Sequence, residues 1–487
     1  MSFHRLIPAA LCASLLAAGC SSLPADLGHA DVARELSARG LSTPDTTMRN
    51  DVRVWLAAPL SLDRAIQIAL LRNPELRAET ARLGFAAADV YEAGRLANPL
   101  LSASWRAAGN EPHAQLTLGI AVNFTDLLFV HARTKIADAQ FEHARLVVGN
   151  AALDLAADVE KAYRRVAAAE RQRQLQTTLM QAAQTSATLA QRYFAAGNLQ
   201  RRELALEQAA ATQAALDADR AQLAVDLARG EFSRMLGLAR DEQAWTLAEP
   251  LAAPPAHEDE AAALVTLALA HRLDLAAARR HADAVAQRYG LQRKTQWLDG
   301  ATIGVERERE YDGGVHGGAS LGLALPLFDW GRGRRARGEA ELQIAEAAVD
   351  ARRLDVIRDV DAATACVAEA RQRVDRYRMQ LIPAREQIVE QTQRALNYML
   401  VDVFELLAAR RQSDLAYGGY LDALRDYWLA RADLARAVGR RLPSAPDAAN
   451  SETSAPPPLA DDAAAAMPMP HDHHPAATPA TGVDDEH

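Results

Sequence analysis

The sequence predicts a mainly α-helical chain with a membrane β part, assembled as a tandem duplication. Three observations predict this. Between Pro112 and Pro250 there is no proline, and Ala, Leu, Gln, Arg and Glu dominate, as good helix formers do. Four short segments alternate apolar with small or polar residues, the period of a strand with two unlike faces. The order of these elements then recurs about 200 residues further on, which marks an internal repeat.

The repeat is carried by matching pieces. Leu70-Leu71-Arg72-Asn73-Pro74-Glu75-Leu76 has its counterpart in Leu269-Ala270-His271-Arg272-Leu273-Asp274-Leu275. Asp154 to Val159 parallels Asp355 to Val360, and Arg229 through Gly237 parallels Arg431 through Gly439. Pro250, Pro254 and Pro255, followed by Glu258-Asp259-Glu260, mark the seam. Each copy opens with a short helix (Leu62 to Leu71; Ala261 to Ala270), followed by a long helical pattern, two strands around a turn and a second long helical pattern. Leu153, Ala156, Val159, Tyr163, Val166 and Ala167 keep the 3/4 spacing of a buried stripe. A helix of about 65 residues would be roughly 100 Å long, a shaft rather than a globule.

In the strands, Leu116, Leu118, Ile120, Val122 and Phe124 alternate with Gln115, Thr117, Gly119, Ala121 and Asn123. In the second copy Leu321, Leu323, Leu325 and Leu327 alternate with Ser320, Gly322, Ala324 and Pro326. Their partners are Leu101 to Arg106 and Thr302 to Glu308. Such strands suit a barrel with lipid outside and water inside. The alternative is a pair of hairpins on a soluble α+β domain; in a barrel, two hairpins cannot close the wall and open edges are not tolerated in lipid, so several chains must share it.

Composition narrows the function classes. The chain has 487 residues, 49% hydrophobic and 5% aromatic, with a net charge of −9. Eight acids and no Lys or Arg follow Leu442, so the remainder is near neutral and offers no basic surface for nucleic acid. After the N-terminus no apolar run reaches the ~18–20 residues of a membrane helix. Cys12, Cys20 and Cys366 make no disulfide framework, and Cys366 is expected as a small buried hydrophobe. No P-loop, HExxH, GxSxG or paired-carboxylate pattern occurs, so no catalytic residues are assigned.

His4 and Arg5 precede an apolar stretch from Leu6 to Ala18, the layout of a secretory signal peptide over residues 1–19. Leu16-Ala17-Ala18-Gly19-Cys20 resembles a lipobox, although Ala17 stands where that pattern carries Leu. The resemblance implies lipidation of Cys20; an ordinary signal peptide with an incidental cysteine is the alternative. Ser21 gives no inner-membrane retention signal, so delivery to the outer membrane is expected.

Duplicated helix–hairpin–helix units on a secreted, lipidated chain resemble the outer membrane factor (TolC-like) family of efflux channels. The pieces that carry it are Ala69 to Leu76, Ala97-Asn98-Pro99, Pro326-Leu327-Phe328-Asp329-Trp330-Gly331 and the helix-to-helix turn Ala196-Gly197-Asn198-Leu199. The resemblance implies a homotrimer with four strands per subunit in a 12-stranded outer-membrane barrel, continuous with a hollow helical barrel in the periplasm. It also implies a passive duct, with no cofactor, fed by an inner-membrane proton-driven pump through a periplasmic adaptor protein. Two places depart from the pattern. Asn123 to Leu128 replaces the Pro/Gly-rich strand exit, and Met399 stands opposite Gly197.

The domain division is then a lipidated N-terminal linker (20–59), a first repeat (60–242), a linker (243–260), a second repeat (261–442) and a Pro/Ala/acidic tail (443–487) expected to be disordered. Asp402 and Glu405 lie where such channels constrict; three copies of each would form a cation-attracting ring. Their first-copy counterparts are Gln200 and Glu203. In the tail, Met467, Met469, His471, His473 and His474 suit copper, silver or zinc. With Asp426 to Ala432, they lean the resemblance toward the heavy-metal (copper/silver, cobalt–zinc–cadmium) branch. Multidrug or type I protein-secretion ducts share the fold, and a lipid-anchored periplasmic coiled-coil scaffold is the alternative of another class.

Overall fold

The structure is a computed structural model and describes residues 26–43, 52–107, 109, 113–295, 300–324 and 328–442. Two short helices come first, α1 (His29–Ser37) and α2 (Val52–Ala57), followed by α3 (Leu62–Arg72) and α4 (Pro74–Ala93). The hairpin β1 (Leu100–Arg106) and β2 (Gln115–Asn123) leads into α5 (Phe124–Ala195) and α6 (Arg201–Met235). The second copy repeats the order as α7 (Ala261–His271), α8 (Leu273–Thr295), β3 (Thr302–Arg309), β4 (Val315–Gly322), α9 (Arg332–Arg376), α10 (Ile382–Asn397) and α11 (Val403–Val438). The mainly helical, duplicated architecture with four strands is as the sequence predicts.

Local chemistry sets the boundaries. The Asn73 side chain caps α4 by accepting from the Glu75 and Leu76 amides at 2.9 and 3.0 Å, and Pro74 takes the first turn, where its missing N–H costs nothing. Its Nδ2 also donates to the Met235 carbonyl at 2.9 Å, tying the α3–α4 corner to the end of α6. At the same corner of the second copy, Arg272 grips Asp274 in bidentate fashion at 2.9 and 2.6 Å and reaches Asp359 on α9 at 3.1 Å. One repeated motif thus builds two corners with different chemistry, an amide cap and an ion-pair cluster.

The 72-residue α5 is roughly 110 Å long at 1.5 Å per residue. Its predicted stripe is buried from Leu153 to Ala167, against α3, α6, α8 and α11. Tyr163 sits edge-on to Phe232, which is edge-on to Trp245, at 5.9 and 5.0 Å between ring centres. The Tyr163 hydroxyl donates to the Leu60 carbonyl, fixing the start of α3 on the shaft. Part of the expected 20–59 linker is helical: Val32 and Leu36 on α1, and Val52 and Leu56 on α2, enter this core.

Three expectations change. Phe124 starts α5 instead of ending β2, because Asn123 accepts from the Thr125 amide at 3.0 Å and caps the helix. That cap is how the chain leaves the strand without the Pro/Gly exit. β4 ends at Gly322, so Leu323 lies just past it, and Leu325 to Leu327 lie outside the described residues. Cys366 is exposed, not buried. The buried face of α9 runs through Val356, Val360, Val367, Ala370 and Val374, and Cys366 falls off that stripe. The second shaft also carries a π segment where the first is α-helical throughout. Pro383 has no N–H to offer the Met379 carbonyl, and the preceding Tyr377–Leu381 segment widens into a π-turn.

Candidate channel wall and periplasmic tip

The four strands form one antiparallel sheet in the order β1-β2-β3-β4, with β1 and β4 left as edges. The register sorts every side chain onto a face, because paired residues point the same way. Leu118 pairs with Ala103 and Arg307, Ile120 with Leu101 and Val305, and Val122 with Ile303, which itself pairs with Leu321. This is one apolar face, and its large side chains are exposed: Ile120 50%, Val305 62% and Leu321 73%. The other face carries Ser102, Ser104, Gln115, Thr117, Thr302, Glu306, Glu308, His316 and Ser320.

Glycines show where the sheet is crowded. A Cβ at Gly119 would lie 2.7 Å from Ser102 Oγ and 3.1 Å from Glu306 Cγ; one at Gly304 would lie 2.9 Å from Ser320 Oγ and 3.1 Å from the Ala121 Cβ. Side chains therefore crowd at these two positions of the polar face, as they would on the inside of a curved wall. A polar face, an exposed apolar face and two open edges are what a segment of barrel wall would carry.

Charge follows the same division. In Val305-Glu306-Arg307-Glu308-Arg309 the alternation puts both acids on the polar face and both arginines on the apolar one. The Glu308 carboxylate accepts from the Gln115 side-chain amide across the strands. Sequence reasoning passed over these four residues, although the strict Glu/Arg alternation was the signal.

At the far end of the shafts are two helix-to-helix turns. In the first, Gln200 stands at the N-cap of α6 and Glu203 accepts from the Gln200 amide at 3.1 Å. In the second, Asp402 is the N-cap of α11 and accepts from the Glu405 amide at 2.9 Å. The two acids singled out by sequence are thus adjacent, exposed and placed within a capping motif. Capping gives them a local role whatever else they do. Phe404 packs edge-on against Tyr193 at 6.1 Å, which brings the two tips together. Gly197 and Met399 occupy equivalent turn positions at φ +77° and +58°, a left-handed backbone easy for glycine and strained for methionine. Met399 is flanked by Tyr398 and Leu400, and all three are more than three-quarters exposed.

Asp426 to Ala432 has a packing role. Tyr427 hydrogen-bonds Glu258, and Trp428 Nε1 donates to the Ala252 carbonyl at 2.7 Å with the Arg164 guanidinium 4.4 Å above its ring. The motif clamps the seam between the copies onto α11. Cys20 and the tail residues Met467, Met469, His471, His473 and His474 lie outside the described residues. Among the described residues no group of three or more His, Cys, Asp or Glu could hold a metal ion, and no single helix is long and apolar enough to cross a membrane.

These features amount to a four-strand segment set on a long helical shaft. Residues 264–440, nearly the whole second copy, match the outer membrane efflux protein family, a family of channels and not of enzymes. The outer membrane protein VceC of Vibrio cholerae is similar at a TM-score of 0.65 and 19% identity, over 78% of this chain and 96% of that one. CusC is similar at 0.63 and 15%, over 78% and 92%. The open-state MtrE channel of Neisseria gonorrhoeae follows at 0.61 and 19%, over 78% and 89%. At these identities the likeness is one of fold. No curated protein sequence matches the chain significantly.

Proposed function

We propose that the protein is the outer-membrane subunit of a tripartite efflux system, a passive duct for solutes delivered by an inner-membrane pump through a periplasmic adaptor. The carrying observation is the two-faced, two-edged sheet. Four strands with one apolar side and one polar side need further copies to remove their edges. Three copies give 12 strands, and the shafts continue the duct beyond the membrane. The exposed Tyr398-Met399-Leu400 tip offers an apolar contact for the adaptor. Asp402 and Glu405, repeated three times, form an acidic ring at the periplasmic mouth. Cys20 bears the lipid anchor.

The proposed cargo is a heavy-metal ion, copper or silver or else zinc, cobalt or cadmium. Met467, Met469, His471, His473 and His474 of the tail support this reading, since thioethers and imidazoles are soft to borderline ligands. The full-length protein should run as a heat-modifiable trimer in detergent and open cation-preferring channels in planar bilayers. A soluble monomer without conductance would sink the duct and leave a periplasmic scaffold. Removing residues 443–487 should leave conductance intact and lower tolerance to these metals; unaltered tolerance would separate the tail from the cargo.

A further inference from the structure

We propose that Arg307 and Arg309 form a binding site for phosphorylated lipid headgroups of the outer leaflet, on the outer surface of the barrel. The inference rests on the channel reading above and extends it to the lipid that surrounds the wall.

Register and height carry the argument. Counted from the helix end, the outward residues of β3 are Ile303, Val305, Arg307 and Arg309. With about 3.4 Å per residue and a strand tilt of about 40°, Arg307 stands roughly 13 Å and Arg309 roughly 18 Å above Thr302. Below Thr302 the apolar surface continues through exposed Leu127 and Leu128 on the first turn of α5, about 7 Å at 1.5 Å per residue. The two spans add to about 25 Å, the height of the apolar band of such a barrel. Arg309 therefore lies at the upper boundary, level with Trp105, whose partner Leu116 it also pairs with; an aromatic belongs at that interface. Arg307 lies one row inside it.

Neither guanidinium has an acid for company. Both acids of β3 point the opposite way, and among the described residues no side-chain hydrogen bond or ion pair joins Arg307 or Arg309. Arg307 is bordered by Leu118 and by Gly317, where a Cβ would have only the Glu306 carbonyl oxygen near it, at 3.7 Å. The missing Cβ leaves a recess next to the guanidinium on the edge strand. Two exposed cations on an apolar wall, one at the interface and one about 5 Å below it, are stabilised by an anion that the membrane itself supplies. Planar guanidinium matches phosphate in bidentate fashion, and long stems let the charge snorkel toward the headgroups.

The test uses the full-length trimer in neutral detergent micelles. The probes are a bisphosphorylated acylated glucosamine disaccharide, its dephosphorylated form and inorganic phosphate, with binding followed by native mass spectrometry. Each arginine near an anionic headgroup contributes about fivefold. Arg307→Gln with Arg309→Gln should therefore weaken binding of the phosphorylated lipid by at least tenfold, while Arg307→Lys with Arg309→Lys keeps most of it. The dephosphorylated lipid should not distinguish these proteins. If the double Gln variant remains a conducting trimer and binds the lipid unchanged, the headgroup site is refuted and the duct stands. Inorganic phosphate held as tightly as the lipid would also overturn the lipid assignment. The single variants Arg307→Gln and Arg309→Gln, each keeping one cation, should bind at intermediate strength should the double variant fail to assemble; binding equal to the native chain in both would refute the site. A native chain that forms no conducting trimer would overturn the duct and this site together.

Discussion

Leu118 and Thr117 are neighbours on β2 that point to opposite faces, so the same substitution at each separates a lipid wall from a packed hairpin. Leu118 pairs with Ala103 on one side and Arg307 on the other. An arginine at 118 is turned toward lipid at the height of Arg307, one row inside the upper boundary, where the cost lies between the midplane and interface values, about 1–2 kcal/mol. It also faces Arg307 directly, and like charges opposed across strands add about 0.2–1 kcal/mol. In the proposed barrel of three subunits, the assembled trimer loses on the order of 4–9 kcal/mol. Thr117 pairs with Ser104 and Glu308 on the polar face. Arginine there meets water and an acid, so its electrostatic cost is close to nil and a cross-strand pair offsets lost packing. Gly322 is a poorer lumen control, since Thr302 Oγ1 lies 2.6 Å from where its Cβ would be. The assay is the fraction of heat-modifiable trimer recovered from the outer-membrane fraction. Leu118→Arg should abolish it and Thr117→Arg should leave most of it. Equal damage from both would refute the wall, and with it the assignment of faces from register.

Three further outcomes follow from the helical part. Asp402→Asn with Glu405→Gln removes six charges from a trimer yet keeps a good N-cap, whereas Asp402→Ala loses the cap at about 1 kcal/mol. Cation preference in bilayers should therefore fall in the first variant with the tip intact, and more visibly at low salt, since the Debye length is about 8 Å at physiological ionic strength; unchanged selectivity would leave the two acids as caps alone. Met399→Gly relieves left-handed strain of about 1–2 kcal/mol, partly offset by about 0.4–1 kcal/mol of unfolded-chain entropy, so melting should shift slightly upward, while Gly197→Ala shifts it down. At the α7–α8 corner, burial raises the Asp274 carboxyl, but the hydrogen bonds and charge of Arg272 outweigh it and hold it below the ordinary range; Asp359 is held low likewise, against burial, by Arg358 and Arg272. Depressed folded values mean that this stabilisation is complete above the unfolded carboxylate value near 4 and is lost as pH falls through the folded ones, so Asp359→Asn should flatten the decline in melting temperature below about pH 4.

Periodicity made much of this fold legible. The shaft stripe from Leu153 to Ala167 repeats with the period of a helix, and β2 repeats with the period of a strand, so each declares its element without tertiary knowledge. Cys366 was misjudged because α9 is rich in Ala and Arg, and its buried valines are too sparse for the stripe to stand out. The β1–β2 and β3–β4 pairings followed from short turns, but the union of β2 with β3 could not. It joins residues from two copies, and only the assembled chain brings Leu118 beside Arg307. For the same reason the face of Glu306 and Glu308 is a property of the sheet and not of either hairpin.

The tip shows how duplication hides function under structure. Both turns use the same device, a polar N-cap three residues before a glutamate, and such a pattern is expected wherever a helix must start sharply. The copies differ in two respects that capping does not require. Asp402 carries a charge where Gln200 caps without one, and Met399 endures a left-handed backbone where Gly197 adopts it freely. A turn selected for stability alone would keep the glycine and be indifferent to the charge. Strain retained beside a bare apolar surface, with an acid at the adjoining helix start, belongs at a place that meets a partner or an ion. The second-copy tip, rather than the first, is therefore the place that suits the proposed contact with the adaptor and the proposed selection of cargo.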